Sequence, residues 1–75
     1  MITLQITVRA GNRCPYLALA ELNGRSFQAI ARDPEEAARR LFNRVRFTLS
    51  LDSVDESDIK HVSSEQDAEI YRVEW

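Results

Sequence analysis

An Asn23-Gly24 dipeptide between two β-prone segments constrains this chain more than any other feature. A two-residue hairpin turn of type I′ needs positive φ at both central residues, and Asn followed by Gly adopts that conformation at little cost. The dipeptide therefore predicts that residues 16–22 and 25–32 form an antiparallel hairpin. Because the turn is so short, it also sets the register of the residues on either side of it.

The register gives the predicted hairpin two different faces. One face surrounds Phe27 with small side chains, which allow a helix to approach closely: Ala18, Ala20, Ala29 and Ala31. The opposite face carries Leu17, Leu19 and Ile30 among polar residues. If nothing covers these three side chains, they form an apolar patch, and such patches mark sites of self-association or partner binding.

The segment after the hairpin predicts a helix. Asp33 can cap its first turn, Pro34 suits the first helical position, and Glu36 stands three residues after the cap as in a capping box. An apolar stripe at helical spacing follows: Ala37, Ala38, Leu41, Phe42, Val45 and Leu49. Residues 46–51 also alternate as a strand would. We favour a helix to about Ser50, because no turn signal interrupts this stretch.

Strands are predicted on both sides of the hairpin and helix. Residues 2–9 alternate between apolar and polar side chains, and residues 59–63 and 69–75 are further strand candidates after an acidic loop at 52–58. The element order is then β-β-β-α-β-β. We predict an α+β fold in which one helix packs on one face of an antiparallel sheet, as a single domain over residues 1–75.

The formal net charge of −2 hides an uneven distribution. Residues 1–50 carry +4, whereas residues 51–75 carry −6. Carboxylates at varied spacing can stand in for phosphates, so an acidic surface can occupy a positively charged groove built for nucleic acid, with salt-sensitive association. The predicted acidic partner-binding residues are Asp52, Asp55, Glu56, Asp58, Glu65, Asp67 and Glu69.

A second candidate surface is basic and lies on the predicted helix. It consists of Arg39, Arg40, Arg44 and Arg46, which can contact phosphate or an acidic protein. The overall acidity of the chain and the lack of aromatic residues interleaved with these arginines disfavour direct nucleic-acid binding.

Residue patterns typical of catalysis or metal binding do not stand out in the sequence. His61 is the only histidine and has no Cys or second His near it, so we interpret it as a strand histidine without a functional role. The single Cys14 permits no intramolecular disulfide, which fits a reducing cytoplasm. No stretch approaches the ~18 apolar residues of a membrane span. We predict a cytoplasmic, non-enzymatic protein with no cofactor, no metal and no membrane association.

Residues 16–45 run from a hairpin into a capped helix that contains Glu35-Glu36-Ala37-Ala38. This arrangement resembles the half-domain of HicB-type antitoxins and, more loosely, double-stranded-RNA-binding folds. The antitoxin resemblance implies a regulatory half-domain that dimerises through its sheet.

In size, α+β order and acidic C-terminal part, the chain is also similar to the small phage-encoded inhibitors called anti-CRISPR proteins. That resemblance implies a protein that blocks a Cascade-type complex at its nucleic-acid-binding surface. Our leading hypothesis is a protein-binding module that inhibits or sequesters a larger protein or ribonucleoprotein complex. The alternatives are a HicB-like homodimer and an RNA-binding module that uses the helix arginines.

Overall fold

A computed structural model describes residues 2–11 and 15–75 of the chain. The predicted element order and the α+β class are confirmed. The strands and the helix are β1 (Thr3–Ala10), β2 (Tyr16–Leu22), β3 (Arg25–Ala31), α1 (Pro34–Leu49), β4 (Lys60–Glu65) and β5 (Ala68–Glu74). Cys14, predicted to form no intramolecular disulfide, lies outside the described residues.

The five strands form one antiparallel sheet in the order β3-β2-β1-β5-β4, with β1 at its centre. The predicted hairpin register is confirmed, because Ala20 pairs with Phe27 and Ala18 with Ala29. Asn23 and Gly24 have φ values of 53° and 78°, the positive values that a type I′ turn requires. The last two strands, β4 and β5, extend the sheet on the side of β1 opposite this hairpin.

Helix α1 packs on the β1–β3 half of the sheet, where the small side chains lie. Ala18 is fully buried and Ala29 and Ala31 are 6% exposed, while Ala37 and Ala38 of the helix are fully buried against them. Small residues on both sides let the helix come close. The space that remains is filled by larger buried side chains: Leu4, Ile6, Val8, Leu41, Phe42, Val45 and Val73. Each contributes roughly 1.5–3 kcal/mol by burial.

Both ends of α1 follow the sequence signals. The Asp33 carboxylate accepts a hydrogen bond from the Glu35 N–H at 3.1 Å, whereas the Glu36 carboxylate, predicted to return to the cap, instead accepts from Arg40 at 3.0 Å. The helix ends at Leu49, and Ser50 adopts the left-handed conformation with φ 54°. The helical interpretation of residues 46–49 is thus confirmed over the strand alternative.

The segment 52–58, predicted as a loop, contains a short 3₁₀ helix over Glu56–Asp58. Asp55 and Asp58 form its capping box, since each side chain accepts a hydrogen bond from the backbone at the other end of the turn. Val54, the apolar residue just before it, is 3% exposed and anchors the segment to the core. Three of the predicted acidic binding residues, Asp55, Glu56 and Asp58, are therefore parts of a structured turn.

The sheet face opposite α1 carries no other element of the described chain. Leu19 and Ile30 are 38% and 53% exposed there, and Leu17 is half-buried. Ile70, which pairs with Thr7 and Ser63, lies on the same face but is 8% exposed. Strands β4 and β5 therefore do not cover the apolar patch expected at Leu17, Leu19 and Ile30.

Candidate functional site: two grooves beside the helix

Two grooves run along α1, one on each side, because the helix is narrower than the sheet. The first, of about 790 Å³, lies between the N-terminal half of α1, the 3₁₀ helix and the β4–β5 hairpin. We call it the acidic groove. The residues that give it its chemistry are Asp33, Glu35, Arg39, Glu56, His61, Ser64, Glu69 and Tyr71.

Four carboxylates from three separate regions meet at the acidic groove. Asp33 and Glu35 come from the start of the helix, Glu56 from the 3₁₀ helix and Glu69 from β5. Among the lining residues described, Arg39 is the one arginine and no lysine is present. Uneven charge of this kind gives the groove a negative potential that favours cationic groups.

The pKa of Tyr71 reflects the same concentration of negative charge. Burial raises the pKa of its phenol, and the nearby carboxylates of Glu69, Glu35 and Asp33 raise it further. Both effects disfavour the phenolate, the first by desolvation and the second by repulsion of like charge. Residues far apart in sequence therefore act on one buried side chain.

A polar network of His61, Ser64 and Glu69 forms one wall of the acidic groove. His61 Nε2 lies 2.6 Å from Glu69 Oε2, and the Ser64 hydroxyl donates to the same oxygen at 2.6 Å. The His61 ring also packs against Tyr71 with a centroid distance of 5.2 Å. Hydrogen bonds from Ser64 and His61 hold the pKa of the Glu69 carboxyl below its usual value.

A β-bulge at Val62 creates this network. Strand pairing shifts register between His61 and Ser63, so that His61 faces Tyr71 while Ser64, three residues later, faces Glu69. In a regular strand, residues three apart point to opposite faces. The extra residue therefore brings Ser64 to the same side as His61.

The geometry of this network does not suit nucleophilic catalysis. A serine nucleophile needs a ring nitrogen that accepts its proton, with the orienting carboxylate on the other nitrogen. Here Ser64 and Glu69 both approach Nε2 of His61, at 3.3 and 2.6 Å. The arrangement instead fixes the Glu69 carboxylate in place. The sequence predicts no functional role for His61, whereas in the structure its ring is a positioning partner of this carboxylate.

The seven acids predicted from sequence divide among three environments. Glu56 and Glu69 line the acidic groove. Asp55 and Asp58 cap the 3₁₀ helix, and Asp55 also lies 4.0 Å from Arg46. The remaining three are exposed elsewhere: Asp52, Glu65 and Asp67.

Sequence reasoning missed two carboxylates of the groove. The sequence predicts Asp33 as the helix cap and gives Glu35 no binding role, so neither residue is expected beside Glu56 and Glu69. Acidic residues in the first turn of a helix are the available signal, but nothing in the sequence indicates which strand lies opposite that turn.

The four helix arginines do not share one face. Arg39 lines the acidic groove, and Arg46 lies on the same side, where it contacts Asp55 and stacks 5.7 Å from the Phe42 ring centre. Arg40 and Arg44 lie on the other side of the helix. The RNA-binding alternative needs one basic face formed by all four side chains. The helical periodicity instead divides them between two sides of α1.

The second groove, of about 740 Å³, lies between α1 and the edge strand β3. We call it the β3 groove. Its wall on the helix side carries Arg40, Arg44 and Phe47, and Phe47 is 89% exposed. Its strand side is β3 from Ser26 to Ile30. No carboxylate occurs among the described residues that line it.

Three further findings concern the chain as a whole. Within residues 2–11 and 15–75, no helix has the length and apolar character needed to cross a bilayer. The same residues contain no group of three or more side chains placed to hold a metal ion. No protein-family model matches the chain, and neither the curated proteins nor the solved structures provide a significant match.

Proposed function

We propose that this protein is a non-enzymatic protein-binding module that places its acidic groove against a basic surface of a larger protein or ribonucleoprotein complex. The observation that carries the proposal is the convergence of Asp33, Glu35, Glu56 and Glu69 on one groove. Lysine and arginine side chains of a partner can enter a groove of this charge and form charge-assisted hydrogen bonds there.

Three of the four carboxylates are held in position before any partner arrives. Ser64 and His61 hold Glu69, Asn43 donates to Glu56 Oε1 at 2.6 Å, and the helix N-terminus holds Asp33. A preorganised side chain loses less conformational entropy on binding than a free one. Fixed carboxylates suit a partner whose own cationic groups are fixed, as in a groove that normally receives phosphates.

A nucleic-acid-binding surface is the kind of partner surface that meets this description. Occupation by carboxylates would exclude the nucleic acid, so the module acts as an inhibitor. We therefore propose that the protein acts as an anti-CRISPR protein that blocks a Cascade-type complex. Absence of catalysis is part of the same proposal, and it is supported by the shared use of His61 Nε2 by Ser64 and Glu69.

Competition with target DNA tests the inhibitor function. A purified Cascade-type complex is mixed with labelled target DNA in a gel-shift assay, and the protein is added at increasing concentration. We expect DNA binding to fall, and the inhibition to weaken as salt rises. DNA binding that stays unchanged at every protein concentration would refute inhibition of this class of complex.

Matched variants test whether the acidic groove is responsible. Glu35→Gln removes one groove carboxylate without touching the Ser64 network, and Glu21→Gln removes the same charge from the other side of the sheet. We expect Glu35→Gln to inhibit several-fold less strongly than Glu21→Gln, because only Glu35 lies in the groove. Equal inhibition by the two variants would show that the groove is not the contact surface.

The open face of the sheet favours a second candidate function, a HicB-like regulatory half-domain that dimerises through its sheet. The exposure of Leu19 and Ile30 is the observation behind it. Light scattering over a range of concentrations distinguishes the two. A dimer that Leu19→Ser abolishes supports the half-domain, and a monomer at the highest concentration counts against it.

A further inference from the structure

Strand β3 is an open edge of the sheet. A two-residue turn makes Leu22 and Arg25 a hydrogen-bonded pair, so every second pair along the hairpin is also hydrogen-bonded. It follows that Ser26, Gln28 and Ile30 direct their backbone groups away from β2. The Arg40 guanidinium confirms this direction, since it reaches the Ile30 carbonyl from outside the sheet at 3.0 Å.

The two edges of the sheet differ in how well they can accept another strand. Strand β4 is interrupted by the bulge at Val62, a feature that hinders pairing with a further strand. Strand β3 pairs with β2 in unbroken register from Arg25 to Ala31. Among the described strands, β3 is therefore the edge with regularly spaced outward backbone groups. Arg40 already occupies the Ile30 carbonyl, so the groups left for a partner are those of Ser26 and Gln28 and the Ile30 N–H.

The β3 groove adds side-chain recognition to this edge. Phe47 projects from the helix with 89% of its surface exposed, and a large aromatic side chain left in water is a common anchor of binding sites. Arg40 and Arg44 stand one helical turn apart beside it. A strand laid along β3 would place alternate side chains between these groups and the sheet.

We propose that the β3 groove binds an extended, acidic segment of a partner protein, which adds to the sheet as a further strand next to β3. The backbone of β3 supplies main-chain hydrogen bonds, as in other cases of strand addition. Arg44 pairs with a carboxylate of the segment, while Arg40 keeps its contacts to Glu36 and the Ile30 carbonyl. Phe47 covers an apolar side chain of the segment two residues away. This inference uses a different surface from the acidic groove and stands independently of the proposed function.

The charge of the β3 groove indicates which kind of segment binds there. No carboxylate lines the described β3 groove, and among the described residues Arg44 has no ion-pair partner, whereas Arg40 is paired with Glu36 beside the groove. A segment that brings a carboxylate to Arg44 is therefore complementary to the groove. A second copy of this chain would pair β3 with another β3, which brings together two edges whose grooves lack a lining carboxylate, or pair β3 with the bulged β4. Neither arrangement is complementary.

Hydrogen exchange measured by NMR tests the proposal directly. The probe is a capped octapeptide with threonine at even positions and with glutamate and isoleucine alternating at the odd positions, which share one face of a strand. The control peptide has lysine in place of glutamate. We expect the acidic peptide to slow exchange of the Ser26, Gln28 and Ile30 amides, and the lysine peptide to leave them unchanged. Absence of protection at these amides would overturn the proposal, as would equal binding of both peptides.

Three variants separate the contributions. Phe47→Ser and Arg44→Gln both change exposed side chains, and each should weaken binding of the acidic peptide by about tenfold. Gln28→Pro removes one outward N–H, while Gln28→Ala keeps it, so only the proline variant should lose binding. Equal affinity of the proline and alanine variants would overturn strand addition, and a concentration-dependent dimer through β3 would show that a second copy is the occupant.

Discussion

The two grooves beside α1 differ in how the chain builds them. The β3 groove is formed by neighbouring elements, β3 and the helix that follows it directly. The acidic groove gathers residues from the helix start, the 3₁₀ helix and both strands of the C-terminal hairpin. A local surface can be inferred from adjacent segments, whereas a surface assembled from distant segments depends on the topology of the sheet.

The grooves also differ in how firmly their side chains are held. Glu69 and Glu56 each accept hydrogen bonds from neighbouring side chains. Phe47, in contrast, is 89% exposed. The acidic groove therefore suits a rigid partner surface of opposite charge. The β3 groove suits a flexible segment that gains its order from the strand edge.

The largest effect is expected from the core that supports both grooves. Phe42 is fully buried between α1, to which it belongs, and the sheet, so Phe42→Ala should lower the free energy of unfolding by about 3–5 kcal/mol. Phe47→Ala, on the same helix but exposed, should change it by less than about 0.5 kcal/mol. Urea denaturation followed by circular dichroism measures both. Similar losses in the two variants would mean that the helix is rotated relative to the described packing.

A smaller effect should separate the two grooves. Val54 anchors the 3₁₀ helix to the core with 3% exposure, so Val54→Ala should cost roughly 1–3 kcal/mol of unfolding free energy. It should also loosen Glu56 and leave the β3 groove unchanged. NMR chemical shifts on a folded sample provide the measurement. Changes centred on Arg44 and Phe47 instead would contradict this division.

Tyr71 offers a spectroscopic measure of the acidic groove. Its raised pKa means that folding favours the neutral phenol, so its contribution to stability is present below pH 10.0 and is lost as the pH rises through the folded-state pKa. Glu35→Gln removes one of the carboxylates that raise this pKa. Ultraviolet titration of the variant should show it lowered, whereas Glu36→Gln, one residue along the helix, should not lower it. Equal titration curves would place Glu35 away from the groove.

The smallest effect concerns Glu69, whose pKa is lowered by its hydrogen bonds from Ser64 and His61. Its contribution to stability is present above pH 4.5, the ordinary value, and is lost as the pH falls through the folded-state pKa. Ser64→Ala should raise the pKa of Glu69 towards the ordinary value, because it removes the largest cause of the shift. NMR titration of the carboxyl carbon detects this change. An unaltered titration would remove Ser64 from the network.

Much of the fold was predictable because its signals are local. The Asn23-Gly24 turn determines the hairpin register through backbone conformation, and Asp33-Pro34 marks the helix start through capping. Val54 was missed, although a single apolar residue in an acidic segment is a signal that the segment touches the core. The bulge at Val62 leaves no comparable signal, and with it the position of Ser64 escaped prediction.

The sequence by itself determined the elements, their order and the two-faced character of the hairpin, because turns, caps and periodicity act between residues close in the chain. Only the tertiary structure decided which carboxylates share a groove and which arginines stand together. Those contacts depend on the β3-β2-β1-β5-β4 order and on the helical angle between Arg39 and Arg40, which sends one side chain to each groove. The charge imbalance along the chain thus becomes two oppositely charged grooves on either side of one helix.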